Sequence, residues 1–187
     1  MAAITVTSLA IPDVKLIAVQ RFGDARGFFS ETYSVEAFAA AGIVVQFVQD
    51  NHSRSAAVGT VRGLHYQSPP FAQDKLVRVT RGRILDVAVD IRRSSPTFGR
   101  HVAAEISAEA WNQILVPVGF AHGFVTLEPD TEVVYKVTSG YAASHDHGVL
   151  WSDPALGIVW PVSARVAILS DKDTRHPPLA DAQPLFA

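Results

Sequence analysis

The sequence predicts an all-β fold, a jelly-roll β-sandwich with one or a few short helices, and three observations carry the prediction. Apolar residues fall in short runs rich in Val, Ile and Phe, side chains that suit a pleated, half-buried surface. Gly, Pro, Asp and Asn punctuate the runs, as turns between closely spaced strands require. Eleven such runs within 187 residues would leave one face of a single flat sheet wet, so two packed sheets or a barrel are implied.

In chain order the expected strands are Lys15–Gln20, Phe28–Tyr33, Val44–Gln49, Thr60–Gln67, Lys75–Thr80, Arg83–Ile91, His101–Ile106, Gln113–Val116, Gly123–Leu127, Glu132–Ser139 and Val166–Leu169. Arg81-Gly82 separates two of them as the turn of a hairpin would, while Pro117-Val118-Gly119 and Glu128-Pro129-Asp130 break the later runs. One short helix is expected over Val35–Ala41, with Ser34 as its N-cap and Gly42 as its left-handed stop. A 48% hydrophobic content at this length suits one well-buried core. The chain therefore reads as a single domain over residues 1–187, with an irregular, proline-bearing tail from about residue 174. Sheets with so little helical cover leave apolar surface to hide, which calls for a second copy of the chain by strand addition or face packing, a homodimer.

A formal net charge of -2 argues against a nucleic-acid binder, so any anion must be gripped by a local basic cluster. The absence of cysteine removes disulfide scaffolds, thiolate nucleophiles and cysteine-held metals. Between Met1 and Gln20, Pro12, Asp13 and Lys15 interrupt the one apolar candidate, so neither a secretory leader nor a membrane span is expected, and the location reads as cytoplasmic.

Several segments carry groups suited to chemistry. In Arg62-Gly63-Leu64-His65-Tyr66-Gln67, an oddly polar run for a strand, His65 is either a core histidine satisfied by a carbonyl or part of a site for a polar ligand. Arg62 and His65 have opposite parity on an ideal strand, and both serve one pocket only if Gly63 allows a bulge. Gln49, Asn51 and Ser53 share a face if their strand continues, offering amides and a hydroxyl to a base or sugar; the bland reading is an Asn-rich turn. The Asp24–Glu31 segment joins Arg26, an arginine fork for phosphate, to Glu31 and to Phe28 and Phe29 for stacking, or else is a surface turn with a salt bridge. Lys75, one of four lysines, opens a strand where it meets a phosphate or a developing enolate, or simply solvates an edge. His122 sits among small and apolar residues, as a core histidine would. Tyr135 shares a face with Val133 and Val137, so its ring is buried and its hydroxyl needs a partner or donates a proton. Ser170-Asp171-Lys172-Asp173 follows the last apolar run, where a carboxylate suits the back of an imidazole.

Together these segments resemble the dTDP-4-dehydrorhamnose 3,5-epimerase family, whose signature includes Asp-x-Arg-Gly-x-Phe, Gln-Asp-Asn-x-Ser and Arg-Gly-Leu-His-x-Gln, standing here at Asp24, Gln49 and Arg62. The likeness continues through Asp86–Arg92, Ser95–Gly99, Pro117–Phe124, Tyr135 and Ser170–Asp173, in order and over nearly the whole chain. It implies a cupin-like jelly roll, a homodimer, no metal or other cofactor, and a nucleotide-sugar substrate. It also implies His65 as base, Asp173 as its orienting partner, Tyr135 as acid and Lys75 beside the enolate. Arg26, Phe28, Glu31, Gln49, Asn51, Arg62, His122, Tyr141, Asp146 and Lys172 would then contact substrate, Arg26 and Glu31 from the partner subunit. Ala143 and Asp146 stand where the family usually has proline and glutamate.

The implied reaction inverts C3 and C5 of a 4-keto sugar, since the C4 ketone acidifies the hydrogens on both neighbours; inversion at C3 only or C5 only is the alternative. Histidine suits the base because its pKa lies near neutrality. A metal-dependent cupin using His65 and His122 is the rival from another class, but it needs a His-x-His pair, and position 67 is Gln67. A binding module without turnover is the other, and His65, Tyr135 and Asp173 standing together argue against it.

Overall fold

A computed structural model describes residues 4–187; Met1 to Ala3, the start of the segment on which the leader expectation falls, lie outside the described residues. The strands are β1 (Ile4–Ser8), β2 (Lys15–Val19), β3 (Phe22–Asp24), β4 (Gly27–Phe29), β5 (Gln49–Ser55), β6 (Val61–Gln67), β7 (Lys75–Arg81), β8 (Arg83–Asp90), β9 (His101–Ser107), β10 (Asn112–Val116), β11 (Phe120–Thr126), β12 (Thr131–Val137) and β13 (Asp146–Gly148). They form two antiparallel sheets, a six-stranded one in the order β1-β2-β10-β7-β12-β5 and a five-stranded one in the order β13-β6-β11-β8-β9, with β3 and β4 as a separate hairpin. The expected all-β sandwich is what the chain forms.

Alternation places the core. Val77, Val79, Ile114, Val116 and Val133 of the larger sheet meet Ile84, Ala88, Val102, Ile106, Phe120 and Phe124 of the smaller one. The opposite parity faces outward: Leu64, Tyr66, Val87, Val89 and Ala121 pack under Val149, Leu156, Leu179 and Ala182 of the C-terminal segment. Ile17, Val19, Leu76 and Leu115 pack under Phe38 and Ile43. Phe38 belongs to α1 (Val35–Ala40), which Ser34 caps and Gly42, at φ +82°, follows, as expected. The chain thus covers much of both outer faces itself. Among the apolar residues left exposed are those of the β3–β4 hairpin, where Phe22, Phe28 and Phe29 are 47%, 56% and 69% exposed.

Three differences from the sequence reading have physical causes. Arg81-Gly82 is no hairpin: β7 pairs with β10 and β12, and β8 pairs with β9 and β11, so the turn carries the chain from one sheet to the other. Alternation continues unbroken through such a corner, which is why it reads as a hairpin. Of Val44–Gln49 only Gln49 joins a strand, as the first residue of β5, Val166–Leu169 is not a strand, and Phe28–Tyr33 shrinks to the end of β4; Tyr33, Val45, Phe47, Ala167 and Leu169 pack as irregular chain over sheet faces instead. Regular structure ends at Gly148, well before residue 174, and beyond it only short 3-10 turns occur, over Pro154–Leu156 and Asp173–Arg175. No helix among the described residues is long and apolar enough to cross a membrane.

The parity problem at Arg62 and His65 is solved by Gly63. Across β6 and β11, His65 faces His122 and Arg62 faces Phe124, three residues against two, so β6 carries one extra residue. Gly63 sits in that bulge at φ +126°, where a Cβ would fall 2.6 Å from Gly123 Cα and 2.7 Å from the His122 carbonyl oxygen. Gly63→Ala combines backbone strain with a clash against backbone, and is expected to destabilise the fold by about 3 kcal/mol. Urea denaturation checks this, and an unchanged midpoint would contradict it.

Candidate active site

The bulge turns both Arg62 and His65 into the mouth of the sandwich. There a cavity of about 390 Å³ is lined by Arg62, His65, His122 and Phe124 of the smaller sheet, by Ser53, Lys75, Val77 and Tyr135 of the larger, and by Ile168–Ser170, Lys172 and Asp173. A second cavity of about 240 Å³ shares His65, Lys75, Tyr135 and Lys172 with it and extends past Gln49, Asn51, Gln67, Tyr141 and Asp146. The two are one groove divided at His65.

His65 lies at the heart of the smaller sheet, paired with His122 on one side and Gly148 on the other. Its Nε2 stands 2.5 Å from Oδ1 of Asp173, a residue 108 positions on in the first 3-10 turn after Lys172. Asp173 is buried, and although burial opposes charge on it, the neighbouring His176, His65 and Ser170 hold its carboxyl well below the usual carboxylate range. An ionised Asp173 accepts a proton-bearing Nε2, which leaves Nδ1 as the unprotonated nitrogen. Burial keeps His65 below its ordinary pKa, with Lys75 and Lys172 adding to the effect and Asp173 pulling the other way. The ring is therefore a neutral base at neutral pH.

Tyr135 projects from β12, paired with Val77 on β7 and Asn51 on β5. Its hydroxyl makes no hydrogen bond among the described residues, and burial raises its pKa, so it keeps its proton. Lys75 Nζ donates to the His65 carbonyl at 3.3 Å, and burial pushes its pKa down to about 8. His122 is 7% exposed, with Nε2 2.9 Å from Asp86 Oδ2. It is held in the core, as its neighbours implied, and still lines the cavity.

The alternation read for Gln49, Asn51 and Ser53 is real: all three face inward on β5 while Asp50, His52 and Arg54 face solvent. Gln49 donates to Asn51 at 2.8 Å and accepts from the Tyr141 backbone at 3.3 Å, while Arg62 Nε donates to Ser55 at 3.1 Å. The Tyr141 hydroxyl donates to Asp146 at 2.9 Å, and Lys172 also pairs with Asp146. Burial of Asp146 is outweighed by those two donors, so its pKa is lowered. Ala143 opens the 3-10 turn Ala143–His145 that leads into Asp146.

Arg26, Phe28 and Glu31 line neither cavity. They lie on or beside the exposed hairpin, where Arg26 pairs with Asp24, as the surface-turn reading had it. Sequence reasoning missed His176, 3.5 Å from Asp173, and the pairing of Asp86 with His122. For Asp86 the signal was available, an acid in the middle of an apolar strand at an inward position. For metal chemistry, His122 and Asp86 bind each other, while His65, Asp173 and His176 are the described residues whose ligand atoms lie within 4.8 Å of one another.

A neutral imidazole backed by a carboxylate, a protonated phenol from the opposite sheet and a lysine lining the same cavity can move a proton off carbon and return one. If His65 must be neutral and Lys75 charged, activity should fall below a pKa under 6.5 and again above about 8. A pH–kcat/KM profile tests this, and an acid limb above pH 7 would contradict it.

Residues 8–181 match the dTDP-4-dehydrorhamnose 3,5-epimerase family. The enzyme of that name from Sinorhizobium fredii is 54% identical over 174 residues, 93% of this chain and 89% of the relative. The crystal structure of the Bacillus anthracis enzyme, with TDP and PPi bound, superposes with a TM-score of 0.91 at 50% identity, covering 94% of this chain and 99% of that one. A Legionella pneumophila dTDP-6-deoxy-D-glucose-3,5-epimerase in complex with dTDP-4-keto-L-rhamnose gives 0.89 at 41% identity, covering 95% and 93%. With the bulged His65 strand, the buried Asp173 and the groove between the sheets, these likenesses show that the chain belongs to the dTDP-4-dehydrorhamnose 3,5-epimerase family.

Proposed function

We propose that this protein epimerises C3 and C5 of dTDP-4-dehydro-6-deoxy-D-glucose, giving dTDP-4-dehydro-L-rhamnose. The observation that carries this is the His65–Asp173 pair opening on a groove that Tyr135 enters from the other sheet. His65 Nδ1 takes the proton from carbon, and the C–H electron pair moves into the ketone to form an enolate. Lys75 stabilises the enolate oxygen, where a fixed charge in a dry pocket counts for more than in water. The Tyr135 O–H bond then breaks as a C–H bond forms on the opposite face, and solvent restores both groups. In a gluco ring the hydrogens on C3 and C5 are axial on one face, so one base reaches both centres in turn. Arg62, Gln49, Asn51, His122, Tyr141, Asp146 and Lys172 line the groove and suit the sugar and diphosphate. The product sugar's proton couplings, read by NMR, test the assignment: inversion at both centres is expected, and inversion at one alone or neither would refute it.

The active unit is a homodimer, located in the cytoplasm, in which the β3–β4 hairpin of one subunit closes the groove of the other. Three exposed phenylalanines on a hairpin that carries Arg26, away from its own groove, support this reading. Arg26→Ala and His65→Ala are each expected to be inactive alone. Mixed and reassembled, they should recover roughly one quarter of wild-type sites, because half the random dimers pair an intact Arg26 with an intact His65. No recovery would mean that Arg26 serves its own subunit or none.

A further inference from the structure

Asp173 serves two imidazoles. His176 Nε2 lies 3.5 Å from the same Oδ1 that binds His65, and the two rings stand edge to face with centroids 5.5 Å apart. The His176 side chain is 9% exposed, and its Nε2 is a buried nitrogen with no hydrogen-bond partner among the described residues. Buried polar groups are rarely left so, which marks this one as held for a purpose. The space it occupies is kept open by Gly148, the residue paired with His65 on β13, since a Cβ there would run into the imidazole.

We propose that His176 is a positioning residue for the His65–Asp173 pair: its Nε2, 3.5 Å from Asp173 Oδ1, is near enough to draw on the carboxylate's charge and hold it toward His65. The inference rests on reading His65 as the base. A carboxylate that spends its whole charge on His65 would make the imidazolium slow to give its proton up. A second donor on the same oxygen weakens that grip and keeps the base form populated at lower pH. Ser170 also touches Asp173, its Oγ accepting from the Asp173 backbone N–H at 3.2 Å. The other charged or titratable groups around His65 are Lys75 on β7, Lys172 in the C-terminal segment, Asp146 on β13, His122 on β11, Tyr135 on β12 and Arg62 on its own strand. Of these, Lys75 and Lys172 act on His65 directly through space. They also oppose a metal cation at the three-residue cluster, which is why its geometry points to proton handling.

The test is an NMR titration of the labelled imidazoles in the full-length protein, with a parallel kcat/KM profile. In His176→Leu the His65 midpoint should rise by about half a pH unit, roughly threefold in acid constant. It should fall back in His176→Gln, whose amide keeps a donor. The acid limb of the rate should move with it while KM stays put. Gly148→Ala, which crowds the ring aside without deleting it, should act like the leucine variant and serves if that variant does not fold. An unmoved midpoint, or a glutamine variant indistinguishable from leucine, overturns the positioning role. If the wild-type rate does not follow the His65 titration at all, the base assignment itself falls.

Discussion

Replacing His65 by alanine is expected to lower epimerisation and solvent exchange together by about 10³-fold, with the fold intact. No neighbour stands ready to take over. Lys75 carries a proton at neutral pH below its pKa of about 8, His122 is bound to Asp86, and His176 lies behind Asp173. The substitution also leaves Asp173 beside His176 and Ser170, both of which favour its charged form, so no buried charge is stranded. Deuterium uptake by the sugar in heavy water, followed beside far-UV circular dichroism, measures both halves of the expectation. Uptake within tenfold of wild type, a tenth of what general-base loss removes at the least, would overturn the assignment of the base.

Tyr135→Phe should separate the two halves of the reaction. The base is untouched, so carbon–hydrogen exchange should continue through His65, which returns a solvent deuteron to the face it came from. Inversion needs a donor on the other face, and it should drop by about 10²-fold or more. The ring itself packs against the sandwich core, and phenylalanine keeps that contact while removing a hydroxyl that makes no internal hydrogen bond. Little loss of stability is therefore expected. Exchange and inversion falling in equal measure would instead make Tyr135 part of proton removal, or of substrate binding.

The sandwich was legible because alternation and turn residues are local signals, and so was the helix over Val35–Ala40, which its Ser34 cap and Gly42 stop delimit. The sheet change at Gly82 was not, since the pattern of inward and outward residues is the same whether a strand turns back or crosses over. The C-terminal segment was read as a strand followed by a tail because its apolar residues, Val149, Trp151, Leu156 and Leu179 among them, lack a period; they fill gaps over a sheet. At the site, local sequence raised His65 as a question and the parity conflict with Arg62 pointed to a bulge at Gly63, which β6 carries. Local sequence went as far as offering a carboxylate of Ser170–Asp173 to the back of an imidazole; the resemblance joined Asp173 to His65, 108 residues away. His176 escaped both routes, because a histidine between an arginine and two prolines has no pattern to betray its burial.

The central claim is that one base, His65, removes protons on both sides of the ketone. Wild-type protein incubated in heavy water with dTDP-4-dehydro-6-deoxy-D-glucose, and the recovered sugar read position by position, tests it most directly. Deuterium at both C3 and C5, with uptake at both positions lost in His65→Ala, is the predicted result. Inversion without deuterium uptake, or uptake at either carbon that survives the loss of His65, would contradict it.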